Sequence, residues 1–432
     1  MVSRVTQVSL NVDELPKYWY NILPDLPEKL PEPLNEDGRV ERLKDILIPE
    51  CIKQEYSSER WVRIPEEVRE LYIRAGRPRP LHRAVGLEKM LKTPARLYYK
   101  REDLSPTGSH KVNTALAQVY YAAESGYTRV VTETGAGQWG TAVAYAASLM
   151  GLKSTIYWVR EAYEWKPDRR RFMKLYGAEV LASPSDKTEF GKSILKHDPN
   201  HEGTLGIAIS EAAEDALKNP DTIYPVGSVL NYVLMHQTII GLEVIKQLEL
   251  IGEVPDIMIG CLGGGSNFGG FTLPMIGKVL RKEIDKKIRF LAAQSEAAPN
   301  LVKGTYSYDF PDTAKILPKI KGYTLTHSFK MPSIWAEGLR YHMASPIISY
   351  LKHVGLVEAV AYPVDEKAVF EAARMFIQAE GFLPAPESSY AIRAMIDEAL
   401  KAKEGNKEKI IVANISGHGF LDLEAYSKLL NL

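Results

Sequence analysis

Asp256-Ile257-Met258-Ile259-Gly260-Cys261-Leu262 runs directly into Gly263-Gly264-Gly265-Ser266-Asn267. The apolar part reads as a buried strand. The glycines read as a loop that opens a helix at Phe268-Gly269-Gly270-Phe271. A strand that hands a glycine-rich turn to a helix belongs to a parallel α/β sheet, and such sheets bind ligands at the carboxyl ends of their strands. Upstream the same alternation holds. Strands at 95–100, 129–133, 154–159 and 178–182 are interleaved with helices at 112–125, 141–150 and 169–176, which stop at Gly126, Gly151 and Gly177. Residues 229–250 read as one long helix. Downstream, Asp365 caps a helix that buries Val369, Ala372, Phe376 and Ile377 and stops at Gly381. Ser388 or Ser389 opens the next helix, and a last strand at 409–415 delivers Ser416-Gly417-His418-Gly419. Residues 1–76 read as irregular, with a proline-rich passage at 23–34 preceded by Tyr18, Trp19 and Tyr20, which pack it onto the body.

The chain has 432 residues, 45% hydrophobic and 25% charged, a length that suits two domains better than one core. Lys+Arg and Asp+Glu both total 54, and no block of like charge stands out, which argues against nucleic acid or an anionic membrane as partner. Such a near-neutral chain often hides surface in an oligomer. Cys51 and Cys261 are too few and too far apart for a disulfide framework or a metal site, so no metal is expected. Arg4, Asp13 and Glu14 leave no apolar leader, and no stretch is long enough to span a bilayer. These features predict a cytoplasmic enzyme.

The 263–267 loop lacks the Lys-Ser/Thr of a Walker A motif and the dinucleotide spacing, yet its backbone N–H groups suit a phosphate. About 150 residues earlier, Ser109-His110-Lys111-Val112-Asn113 places an amine at the opening of a helix. The helix dipole there lowers the proton affinity of Lys111 and makes it a better nucleophile toward an aldehyde. An amine and a phosphate cradle are the two anchors of pyridoxal phosphate. The bland alternatives, a solvated lysine and a flexible turn, each win when one motif is read alone. Gly135-Ala136-Gly137-Gln138-Trp139-Gly140 is a literal G-x-G-x-x-G with Glu161 about 20 residues on, which alone suggests a nicotinamide-dependent dehydrogenase. It lies deep in the chain, however, and Glu133-Thr134 before it make a polar loop suited to a carboxylate. His110 reads as structural or cofactor-lining. A serine at 416 facing a pyridine nitrogen would leave that ring neutral.

Together these motifs resemble the tryptophan synthase beta chains, within the fold-type II pyridoxal-phosphate enzymes. The matching segments include Gly76-Arg77-Pro78-Arg79-Pro80-Leu81, Lys100-Arg101-Glu102-Asp103-Leu104, Thr107-Gly108-Ser109-His110-Lys111 and Glu133-Thr134-Gly135-Ala136-Gly137-Gln138. Gly263 to Asn267, Glu380-Gly381, Pro386-Glu387-Ser388-Ser389 and Ser416-Gly417 complete them in family order. The resemblance implies a two-domain α/β architecture, each domain a mostly parallel sheet flanked by helices. One domain would comprise 1–76 and 110–234, with a mobile communication-like region at about 126–222. The other would comprise 77–109 and 235–432 and carry the phosphate loop.

Residue by residue, the resemblance implies that Lys111 holds the cofactor covalently. Gly263, Gly264, Gly265, Ser266 and Asn267, with His110, would grip its phosphate. Ser416 would face the ring nitrogen and Glu380 would lie close by. Thr134, Gly135, Ala136, Gly137 and Gln138 would take the substrate carboxylate, with Glu133 as the acid/base group. The implied reaction is replacement of the L-serine hydroxyl by indole, giving L-tryptophan and water. A serine or threonine dehydratase on the same cofactor site is the alternative, and a non-catalytic regulatory relative the third reading. A homodimer and a weak or transient association with an alpha chain are also implied. Trp139 stands where the main branch has histidine, and Arg340 in Glu337-Gly338-Leu339-Arg340-Tyr341 where it has an aspartate involved in closure. With the longer N-terminal segment, these point to the second, divergent type.

Overall fold

The computed structural model describes residues 6–41 and 46–432, so Arg4 lies outside the described residues. Two sheets organise the chain. The larger runs in the order Gln7–Val8, Leu81–Arg83, Arg96–Arg101, Ile410–Ile415, Ile257–Cys261, Arg289–Ser295, Val357–Tyr362. From Arg96–Arg101 onward its strands are parallel, while the two short edge strands are antiparallel. The Ile257–Cys261 and Ile410–Ile415 strands are buried at every residue, as central strands covered on both faces must be. Their register sets Ile259 opposite Ala413, so the glycine loop and Ser416 emerge side by side. The smaller sheet, Glu179–Ser183, Lys153–Val159, Arg129–Thr134, Thr222–Ile223, is parallel throughout. The alanine-rich helix Gln138–Met150 packs closely on it and against the helix Val112–Glu124.

A buried ionic cluster ties the start of that last helix to the larger sheet. Arg77 Nη2 lies 2.6 Å from Glu102 Oε2 and Arg77 Nη1 2.8 Å from Glu243 Oε1. Lys100 Nζ lies 2.6 Å from Glu243 Oε2, and Arg79 also pairs with Glu102. All five side chains are fully buried. Asn113, two residues beyond Lys111, donates to Glu102 at 3.2 Å and to Gln237 Oε1 at 2.9 Å. Charges this deep are tolerated only when paired and hydrogen-bonded.

Local details differ from the sequence reading. The 229–250 run is two helices, Asn231–Gln237 and Ile239–Leu250, broken at Thr238. The Thr238 hydroxyl donates back to Met235 O (2.5 Å) and accepts from the Tyr20 N–H (2.9 Å), locking the break. The cap of the Lys367–Glu380 helix is Glu366, at φ 54°, while Asp365 accepts only the Lys367 N–H at 3.2 Å. The next helix, Pro386–Glu404, opens two residues before Ser388, because proline at the first helical position needs no donor partner. The first 76 residues contain helices Pro49–Glu55 and Glu66–Arg74 and a strand pair, Tyr18–Tyr20 with Trp61–Arg63. Trp19 and Tyr20 pack inward as expected. Tyr18, at the start of the strand, stays exposed. Among the described residues no helix is long and apolar enough to cross a membrane.

Candidate active site

The carboxyl ends of both sheets face one cleft, lined by residues of both. On one wall the helix Ser266–Leu280 starts after Gly265 (φ 126°) with no side-chain cap, which leaves its first-turn N–H groups free for an anion. The glycines are needed by space as well as by conformation. A Cβ on Gly264 would stand 1.9 Å from Ser228 Oγ, and one on Gly263 2.5 Å from Gly338 O. Lys111 reaches the same spot from the N-cap of the Val112–Glu124 helix. Its Nζ donates to Gly227 O (2.5 Å) and lies 3.2 Å from Ser266 Oγ, so amine and cradle meet. Burial lowers the Lys111 pKa to about 8, despite the opposing pull of Glu133.

His110 Nε2 is 3.2 Å from Ser266 Oγ, and Nδ1 is 3.4 Å from Ser416 O. Burial, then the charge of Lys111, depresses its pKa to about 3, so the ring is neutral. Ser416 Oγ lies 2.7 Å from Ser388 Oγ and 3.5 Å from Cys261 Sγ, which makes a neutral hydroxyl pair with no carboxylate in contact. Cys261 itself is buried, as read from its strand. These groups fit pyridoxal phosphate: a readily neutralised amine for the aldehyde, an uncapped helix start over glycines for the phosphate, and hydroxyls for the ring nitrogen.

Glu133 is the penultimate residue of the Arg129–Thr134 strand and lines the cleft. It accepts from Tyr224 in a very short contact and from Thr132 Oγ1 at 3.2 Å, and burial pushes its pKa up to about 7. Trp139 donates its Nε1–H to Thr132 Oγ1 at 2.7 Å and lies against Gly227, where a Cβ would come within 2.6 Å of the ring. Thr134, Gly135, Ala136 and Gln138 line the cleft. Gly137 turns away. At φ 88° it is wedged against Trp158 and Arg169, and it lets the helix start at Gln138, three residues before the sequence suggests.

Glu380 is not where the sequence reading puts it. As the last residue of its helix it turns away from the cleft, with Oε1 accepting the Leu87 N–H at 2.8 Å and Oε2 3.4 Å from the Tyr99 hydroxyl. Glu387 lines the cleft instead. Its Oε1 accepts the Gly338 N–H at 2.9 Å, and its buried Oε2 has no partner among the described residues. The signal was present in Pro386-Glu387-Ser388-Ser389. The same motif carries Ser388, whereas Tyr224 and Glu337 were missed as site residues, since nothing local marks a side chain that converges from a distant segment. Burial raises the Glu337 pKa to about 7 against the pull of Arg340, which bridges Glu337 (2.6 Å) and Glu161 (2.7 Å).

Fold and site together define a pyridoxal-phosphate-using enzyme, and residues 73–417 match the family model described as "Pyridoxal-phosphate dependent enzyme". The chain is 53% identical, over 99% of both chains, to "Tryptophan synthase beta chain 2" of Methanothermobacter thermautotrophicus. It is 54% identical to "Tryptophan synthase beta chain" of Pyrococcus horikoshii, over 96% of this chain and 91% of that one. The chain therefore belongs to the tryptophan synthase beta-chain family. Among solved structures, an L-serine ammonia-lyase from Rhizomucor miehei shares the fold with a TM-score of 0.61 at 17% identity, covering 82% of this chain and 97% of that one. A maize serine racemase does so with a TM-score of 0.56 at 19% identity, covering 85% and 98%.

Proposed function

We propose that the chain catalyses β-replacement on L-serine, exchanging the hydroxyl for indole to form L-tryptophan and water. Its close relatives bear the name of that enzyme. The observation that favours replacement over simple elimination is a second, small and apolar chamber adjoining the cleft. Its walls include Leu205, Tyr224, Val226 and Tyr341, and it shares Glu133 with the polar site. A flat apolar nucleophile approaching along that wall would meet one carboxyl among the described residues, Glu133, which can accept an N–H.

When bound, pyridoxal phosphate supplies the electron sink that makes the α-proton and β-substituent of the amino acid labile. Lys111 would hold the aldehyde carbon, yield it to the amino acid, and then carry the α-proton on Nζ. Residues 263–267 and His110 would hold the phosphate and 134–138 the substrate carboxylate. Glu133, able to exchange a proton near neutrality, would protonate the departing hydroxyl oxygen and then accept the indole N–H. Ser416, backed by Ser388, offers the ring nitrogen a hydroxyl rather than a carboxylate, which disfavours racemisation and transamination. Closure over the bound substrate would exclude the water that diverts the reaction to pyruvate and ammonia.

The wider reading is of two domains, 1–76 with 110–234 and 77–109 with 235–432, in a cytoplasmic homodimer that associates weakly with an alpha chain. The name shared by the relatives, tryptophan synthase beta chain, supports the alpha-chain association. Product analysis with L-serine, with and without indole, tests the activity. Tryptophan in the presence of indole is expected. Pyruvate under both conditions, without tryptophan, would instead indicate the dehydratase.

A further inference from the structure

The segment 335–340 is held to an unusual degree. The Trp335 and Ala336 N–H groups donate to Glu366 at 2.6 and 3.1 Å, and Tyr390 donates to the same carboxyl at 3.2 Å. The Gly338 N–H donates to Glu387 at 2.9 Å, and the turn lies flat on Gly263 of the glycine cradle. Arg340 closes the far side, with Nη1 reaching Glu161 (2.7 Å) and Glu337 Oε1 (2.6 Å) and Nη2 reaching Met331 O (3.0 Å). All of this fixes the one side chain of the segment that carries a free acceptor.

Glu337 is almost wholly buried and lines the cleft. One of its oxygens is taken by Arg340, and the other has no partner among the described residues. Its backbone lies beside the loop at 134–138, where a Cβ on Gly135 would stand 3.8 Å from the Glu337 carbonyl oxygen, and both border the same cleft. That oxygen is open to the cleft and can accept from a donor on a bound ligand. An amino acid with its carboxylate on that loop and its amino group at the cofactor has one donor left, the β-hydroxyl. The other candidate, the indole N–H, arrives through the apolar chamber, whose wall contains Glu133 but not Glu337.

We propose that Glu337, positioned by Arg340, recognises the β-hydroxyl of the amino-acid substrate and thereby selects hydroxyl-bearing amino acids over their unsubstituted analogues. The proposal rests on the reading of the cleft as an amino-acid site and adds a residue to it. Dissociation constants for L-serine and L-alanine are measured on the cofactor-loaded protein, without indole, for wild type, Glu337→Ala and Glu337→Gln. Serine binding should weaken about ten- to a hundredfold in Glu337→Ala and less in Glu337→Gln, which keeps a carbonyl acceptor, while alanine binding changes by less than about twofold. An equal loss for both amino acids, or none for serine, would overturn the proposal. Should Glu337→Ala fail to retain the cofactor, the serine-to-alanine ratio in Glu337→Gln decides in the same way. Tryptophan formation by the wild type is scored separately, so failure of the β-replacement reading is not confused with failure of Glu337.

Discussion

Lys111 and Glu133 share a cleft in which burial acts on each in the opposite sense. It lowers the proton affinity of the amine, to about 8, and raises that of the carboxyl, to about 7. Both groups then exchange protons near neutrality, which is what a shuttle on one substrate requires. Cofactor capture by the apo-protein should accelerate as pH rises through about 8, because the neutral amine is the nucleophile. Stopped-flow absorption of the bound cofactor checks this, and a midpoint near that of free lysine would count against it. Glu133→Gln should retain the cofactor yet lower tryptophan formation by about a hundredfold or more. Unchanged turnover would remove Glu133 from the mechanism. At this scale the sequence was a partial guide. Lys111 and Glu133 were legible because each lies at a strand end or a helix start beside a glycine motif. Glu380 misled because a Glu-Gly pair at a helix end looks the same whether it faces the cleft or the neighbouring helix.

The strand-to-glycine-to-helix unit at 257–280 was legible almost in full, because a run of buried β-branched and apolar residues followed by glycines has few other folds. The helix boundaries at Gln138 and Pro386 were less so. One depends on Gly137 adopting a left-handed conformation against Trp158, and the other on the tolerance of proline at a helix start. The break at Thr238 answers to Tyr20, a partner more than two hundred residues away, and no local pattern announces it. For the cradle, Gly264→Ala should weaken cofactor binding by at least about tenfold, because the added methyl meets Ser228 and spoils the approach of the phosphate to the backbone N–H groups. Titration of the apo-variant with cofactor reads this out. Affinity equal to wild type would mean that the phosphate sits elsewhere.

Across the whole molecule, the cluster of Arg77, Arg79, Lys100, Glu102 and Glu243 connects the helix that starts at Lys111 with the larger sheet. Four of its five residues lie in the Gly76–Leu81 and Lys100–Leu104 motifs, which the sequence marked only by resemblance, and Glu243 comes from the helix Ile239–Leu250. The charges gave no hint that they would be buried. Removing Glu243 leaves Arg77 and Lys100 short of a counter-charge in the core. Glu243→Ala should therefore cost about 3–5 kcal/mol of stability, far more than loss of a surface pair such as Lys192–Glu189. Denaturant unfolding of the two variants makes the comparison, and equal midpoints would contradict the structural role of the cluster. Sheet order, too, was beyond the sequence, which gave the strands but not that the final one inserts between Arg96–Arg101 and Ile257–Cys261. That insertion brings Ser416 beside the glycine loop and Lys111.

The attachment point of the cofactor is the most direct test of these assignments. After borohydride reduction of the cofactor-loaded protein and peptide mapping, the pyridoxyl label should fall on Lys111 alone and vanish in Lys111→Ala. A label on any other lysine, or none in the wild type, would contradict them.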